Sequence, residues 1–221
     1  MTPLIEAGQA AAAAAGERDG GEEEPHQRPR WTCCDVGCGS GRDAVWLAKR
    51  GCWTVRAVDR LPKCLVKVRQ LSKRHGVERH VVCEEAVIKN GVVVSSAPYM
   101  DGEGGAGGAD GGSSLEEHAS FEQQQYDLVV VIRFLEREFY EALKAMVRPD
   151  GGFLLFVSFL DRSADGIVYE SPKDPRRLLQ PGELARVFGR AEDGWEAVRD
   201  EVCALPDGRF VSAFLGRRRL L

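Results

Sequence analysis

The stretch Cys33-Cys34-Asp35-Val36-Gly37-Cys38-Gly39-Ser40-Gly41-Arg42-Asp43, CCDVGCGSGRD, decides how the rest of the chain is read. A short apolar run leads into it from Trp31. Three glycines follow at alternate positions, and a segment with apolar residues at helical spacing, RDAVWLAKR, begins at Arg42. A buried strand, a glycine turn and a helix start, in that order, form a ligand-binding device. Glycine lets the backbone turn sharply and come close to a ligand with no Cβ in the way. The helix start adds unpaired N–H donors and partial positive charge.

Outward from that stretch, residues 31–36 read as a strand and 42–50 as a helix closed by Gly51. WTVRAV (53–58) is a second strand ending at Asp59, followed by an amphipathic helix over 62–75 with Pro62 near its start and Gly76 past its end. HVVCEEAVI (80–88) is a third strand. Residues 89–125 read as an insertion whose middle, 101–114, is nearly all Gly, Ala, Asp and Ser and is expected to be flexible. DLVVVI (127–132) and FLLFVSF (153–159) are continuous apolar runs of the kind buried on both faces of a parallel sheet. Helices are expected over 136–147 and 181–188, and strands over 195–203 and 209–216. This alternation predicts one α/β domain, a three-layer α/β/α sandwich over 31–221, behind a flexible low-complexity arm at 1–30.

The 221 residues carry a net charge of −4, which gives no global pull toward nucleic acid or an anionic membrane. No apolar run reaches the ~20 residues of a membrane span. The N-terminal stretch lacks the marks of a signal or transit peptide, so a cytoplasmic location is expected. The seven cysteines form no CxxC pair and no Cys/His cluster, and most sit in apolar runs. They read as buried hydrophobes in a reducing compartment, and no metal is expected.

Two ligands compete for the glycine loop. The dinucleotide fingerprint is G-x-G-x-x-G with an acid about 20 residues on. Here Gly37, Gly39 and Gly41 give G-x-G-x-G, and Arg42 stands where a third glycine is wanted. Asp35, just before the loop, would repel a pyrophosphate but could receive an aminopropyl ammonium. The loop therefore suits S-adenosylmethionine better than NAD. Asp59 ends the second strand and can accept hydrogen bonds from both hydroxyls of a ribose.

With these residues in place, the chain resembles a class I S-adenosylmethionine-dependent methyltransferase. DVGCGSGRDAVWLAKRG resembles the first motif of that family and VRAVD the acidic second motif. YDLVVVIRFLEREFYEALKAMVRPDGGFLLFVSF resembles its fourth strand, helix and fifth strand. PKDPRRLLQPGELARVF and DGRFVSAFLGRR resemble the branch of tellurite-resistance-type methyltransferases and rhodanese-fused methyltransferase domains. The resemblance implies a Rossmann-like, mostly parallel seven-stranded sheet with a C-terminal antiparallel hairpin, and S-adenosyl-L-methionine as cofactor. It places Gly37, Gly39 and Gly41 against the methionine part, Asp35 near its amino group and Asp59 on the ribose. The adenine-side residue stays open between Glu84 and Glu85.

The acceptor side is expected on the loops after the fourth and fifth of these strands, at Arg133 and Phe134 and at Phe159, Asp161 and Arg162. Arg133 either holds an anionic substrate or pairs with Glu136 or Glu138; Asp161 reads as a base or, more simply, as a turn residue. No catalytic base is singled out, because thiols and oxyanions arrive reactive. A small-molecule acceptor is the main expectation. A non-catalytic binding subunit, or an enzyme acting on tRNA or protein, is the alternative. Against nucleic acid stands the absence of an Asn/Asp-Pro-Pro-aromatic motif and of a Pro-Cys dipeptide.

Overall fold

The computed structural model describes residues 31–99 and 120–220. The expected arm at 1–30 and the glycine-rich 101–114 lie outside the described residues. One sheet runs through the described part. Its strands are β1 (Trp31–Val36), β2 (Trp53–Asp59), β3 (Val81–Lys89), β4 (Val92–Pro98), β5 (Leu128–Ile132), β6 (Phe153–Phe159), β7 (Trp195–Ala204) and β8 (Phe210–Arg218), in the spatial order β4-β3-β2-β1-β5-β6-β8-β7. The central five, β3-β2-β1-β5-β6, are parallel, and β4, β8 and β7 each join antiparallel to their neighbours.

Side-chain alternation divides the core in two. Cys33, Val55, Ala57 and Cys83 point to one face, where α1 (Arg42–Ala48) and α2 (Pro62–Arg74) cover them with Ala44, Leu47, Leu65 and Val68. Cys34, Val36, Val129 and Val131 point to the other, under α3 (Tyr140–Met146) and α4 (Glu183–Phe188). Strand β6, FLLFVSF, is buried at every position, as a central strand covered on both faces must be. Helix α2 starts on Pro62, buries Leu65, Val68 and Ser72 along one side, and carries Lys73 and Arg74 in its last turn, where positive charge suits the helix dipole.

The expected three-layer sandwich and terminal hairpin are present, but the described residues hold eight strands rather than seven. The extra strand is β4, which lies inside the segment expected to be an insertion, 89–125. Asn90 and Gly91 both take positive φ, 51° and 73°, so they turn β3 straight back on itself. Asn-Gly is the residue pair best suited to such a turn. Two smaller differences concern helices: the segment after β5 enters α3 through a 3-10 turn at Arg137–Phe139, and α4 begins at Glu183.

An ion pair fixes β4 to the sheet. Arg56 Nη1 on β2 donates to Glu84 Oε2 on β3 at 2.6 Å, with little of either side chain exposed. Glu84 also accepts from the Ser96 hydroxyl on β4 and, at 3.3 Å, from the Phe121 amide. Removing one partner of a buried pair strands the other charge. Glu84→Ala is therefore expected to cost about 3 kcal/mol, measured as a lowered denaturation midpoint. A midpoint equal to that of the parent protein would show that water already reaches the pair.

Candidate functional site

The chain order reverses between β1 and β5. β2 and β3 build out to one side of β1, β5 and β6 to the other. Ligands in open α/β sheets bind at such a point, beyond the carboxyl ends of the strands. Residues 37–41 leave β1 there, and Arg133 leaves β5 beside them.

Each glycine of the loop has a distinct reason to be glycine. All three take positive φ. A Cβ on Gly37 would stand 2.8 Å from the Cβ of Phe134, and one on Gly41 would stand 2.6 Å from a Val68 methyl. Gly37 and Gly41 thus let the loop pack against the post-β5 segment and α2. A Cβ on Gly39 would meet nothing within 4 Å. Gly39 presents bare backbone to open space, which is the surface a ligand needs.

Asp59 organises that loop. Its Oδ2 accepts from the Gly39 amide and its Oδ1 from the Leu61 amide, both at 2.9 Å. One carboxylate at the end of β2 therefore ties the glycine loop to the start of α2. Each oxygen keeps a further lone pair for a ligand hydroxyl.

Asp35 is 2% exposed. The Ala44 amide at the start of α1 donates to its carboxyl, yet among the described residues Oδ2 has no hydrogen-bond partner. Burial, then the nearby charges of Asp43 and Asp59, push its pKa up to about 8. Asp43, in the first turn of α1, is also raised by burial, with Arg42 and Arg133 opposing the rise. Three carboxyls thus converge on one loop. An unpaired carboxyl oxygen in such a place is costly unless a donor or a cation reaches it.

Strand parity puts Glu84 and Glu85 on opposite faces of the sheet. Glu84 faces the α3 side, where Arg56 takes it. Glu85 is the register partner of Asp59, and its parity puts it on the face that carries Asp35 and Asp59.

Past the end of β5, Arg133 is a non-glycine residue with positive φ, 58°, and its amide donates to Val157 O at 2.7 Å. It makes no ion pair with Glu136 or Glu138. Its guanidinium lies 6.0 Å from the centre of the Phe159 ring and feels the charge of Asp43. Phe134 packs on Gly37. Asp161 is a turn residue: Oδ1 accepts from the Ser163 amide, Oδ2 from the Gln180 side chain, and these bonds hold its carboxyl below the usual range. Arg133 and Phe134 thus lie beside the glycine loop, whereas Asp161 is spent on its own loop. Two contacts had no local signal in the sequence. Arg209, from the β7–β8 turn, lies 4.4 Å from the centre of the Phe159 ring, and Arg162 lies 4.6 Å from that of Phe210. A cavity of about 370 Å³ beside Trp195, Glu196 and Arg219 lies at the foot of β7, away from this edge, and its arginine is already paired with Glu196.

Residues 34–91, which span the glycine loop, Asp59 and the turn after β3, match the family model described as methyltransferase domain. This stretch is thus similar to a methyltransferase domain, and the described residues share the Rossmann-like fold of solved methyltransferases. Among solved structures the chain superposes on a putative sarcosine dimethylglycine methyltransferase of Galdieria sulphuraria with a TM-score of 0.61 at 11% identity, covering 98% of this chain and 85% of that one. It matches magnesium protoporphyrin IX methyltransferase of Synechocystis, solved with bound SAH, at 0.57 and 12% identity (97% and 83% covered). It matches TehB of Haemophilus influenzae at 0.57 and 16% identity (96% and 62% covered). These likenesses concern the fold. In sequence, the domain is 26% identical over 193 residues to an uncharacterized protein of Schizosaccharomyces pombe; 83% of this chain is covered, and the chain spans 56% of that relative's length. Among the described residues of the domain, no helix is long and apolar enough to cross a membrane.

Proposed function

We propose that the chain is a cytoplasmic S-adenosylmethionine-dependent methyltransferase acting on a small molecule. The observation that carries this reading is the pairing of a bare Gly39 backbone with the unpartnered, buried Asp35 oxygen on the same loop. A ligand with a cationic end suits the second and a closely approaching chain suits the first. Asp59 is well placed for the ribose, and Glu85 for the adenine side, by its register with Asp59. A pyrophosphate would meet Asp35, Asp43 and Asp59 together, so the dinucleotide reading is disfavoured.

S-adenosylmethionine, when bound, supplies a methyl group on a positively charged sulfur, ready for in-line displacement. The chain's own residues then have two tasks. Gly37, Gly39 and Gly41 hold the loop open to the donor while Asp35 receives its ammonium. Arg133 steadies an anionic nucleophile beside Phe159, and the acceptor's lone pair is aimed along the bond to be broken. Alignment of this kind supplies on the order of 7–11 kcal/mol. An acceptor that is already ionised needs no base. The resemblance of PKDPRRLLQPGELARVF and DGRFVSAFLGRR to tellurite-resistance-type enzymes favours thiols and chalcogen oxyanions as acceptors.

Calorimetric titration with S-adenosylmethionine and S-adenosylhomocysteine, with NADH as control, tests the reading. Micromolar binding of both sulfur nucleosides and none of NADH is expected. Absence of binding by either would overturn it.

A further inference from the structure

We infer that the Asn90–Gly91 turn is a positioning device for the reaction centre, acting through residues 133–138; this rests on the methyltransferase reading above. β3 pairs with β2 only as far as Glu85 and then overhangs the sheet together with β4. A register shift between Val87 and Ile88 bends the overhang. Ile88 and Val93 pack against the same core cluster as Phe134 and Leu135. The turn ends on the backbone of Glu138: a Cβ on Gly91 would overlap the Glu138 carbonyl. β5 is the third strand over from β3, about 14 Å away at ordinary strand spacing. The hairpin therefore crosses the carboxyl edge of the sheet to reach the segment that follows β5.

Three contacts converge on that short segment. Gly91 abuts Glu138, and Gly37 of the loop abuts Phe134. Arg137 is held from the other side: Nε and Nη2 donate to the two oxygens of Glu183 at 2.8 Å, and its remaining bonds go to the carbonyls of Arg176 and Leu178. Glu183 also accepts from the Tyr140 hydroxyl and the Gln180 amide. Arg133, with its positive φ, stands at the head of the clamped segment. The hairpin tip thus sets where Phe134 meets the glycine loop and where Arg133 points. Gly91 is a positioning residue, not a catalytic one.

The test uses Gly91→Ala and Gly91→Asn in the full chain, with S-adenosylhomocysteine as probe and amide hydrogen exchange as a second readout. Asn tolerates positive φ and Ala does not, but both carry the Cβ that displaces Glu138. A positioning role predicts that both variants bind the probe about fivefold or more weakly, the lower end of couplings between linked sites, and that exchange over 133–138 speeds up. Recovery in Gly91→Asn would assign the effect to the turn alone and overturn the inference, as would parental affinity and exchange in both variants. If neither variant folds, Arg137→Lys loosens the same segment from the opposite side. Faster exchange there with weaker probe binding supports the inference, and parental values overturn it. If the parent protein itself fails to bind the probe, the methyltransferase reading falls. The exchange data then still decide whether the hairpin holds the segment.

Discussion

Asp35→Asn is expected to stabilise the protein in the absence of cofactor and to abolish cofactor binding. The folded state holds the Asp35 carboxyl at a pKa of about 8, chiefly because it is buried. Between the unfolded value of 3.8 and about 8, the folded protein keeps a proton that the unfolded chain has released. Stability therefore falls as pH rises through this window. At ~1.4 kcal/mol per unit, the ceiling on this cost is about 4 kcal/mol at pH 7. Asn removes the titration and keeps an oxygen for the Ala44 amide. Its melting temperature at about pH 7.5 is expected to exceed the parent's by at least about 3 °C, with the gap closing toward about pH 4. Calorimetry on the same variant is expected to show no S-adenosylmethionine binding, because the ammonium loses its counter-charge. A variant less stable than its parent across the range would mean that Asp35 is ionised and satisfied in the folded state.

Asp59→Ala is expected to damage the site by two routes. It deletes the acceptor for the Gly39 and Leu61 amides, so the glycine loop loses its tie to α2. It also deletes the proposed acceptor for the ribose hydroxyls. Hydrogen bonds to a charged group contribute about 1.5–3 kcal/mol each. Loss of two predicts a fall in nucleoside affinity on the order of a hundredfold or more. A titration of S-adenosylhomocysteine against the folded variant measures it. Affinity within twofold of the parent would place the ribose elsewhere.

The site divides into parts that were legible in the sequence and parts that were not. The loop from Asp35 to Gly41 was legible because its signal is local: strand, alternating glycines and helix start are contiguous. The sequence also carried Asn90-Gly91, the strongest short-range hairpin signal. It is masked by the glycine- and serine-rich stretch that follows, so β4 falls inside a segment that reads as an insertion. Glu84 and Glu85 could be told apart only by the register with β2, which gives one to Arg56 and the other to the Asp59 face. The contacts of Gly91 with Glu138, of Arg137 with Glu183 and of Arg209 with Phe159 join residues 46 to 50 positions apart. No periodicity or spacing rule reaches that far. The positive φ of Arg133 was equally hidden, since the apolar run before it announces only where β5 ends.

The place of β1 in the sheet has a consequence for how the protein comes into being. β1 is the earliest described strand, yet it sits at the centre, between β2 and β5. Its pairing with β2 joins Cys33 to Val55, close along the chain; its pairing with β5 joins Cys33 to Leu128, 95 residues away. The near pairing can form early, and the distant one waits for most of the domain, because long-range closure is entropically slow. Cys33 is sealed when α1 and α2 pack on its face, and Cys34 only when the later α3 and α4 pack on the other. Of these two neighbours, Cys34 is therefore the one exposed longer during folding, and a slow-folding variant would show it as oxidised protein.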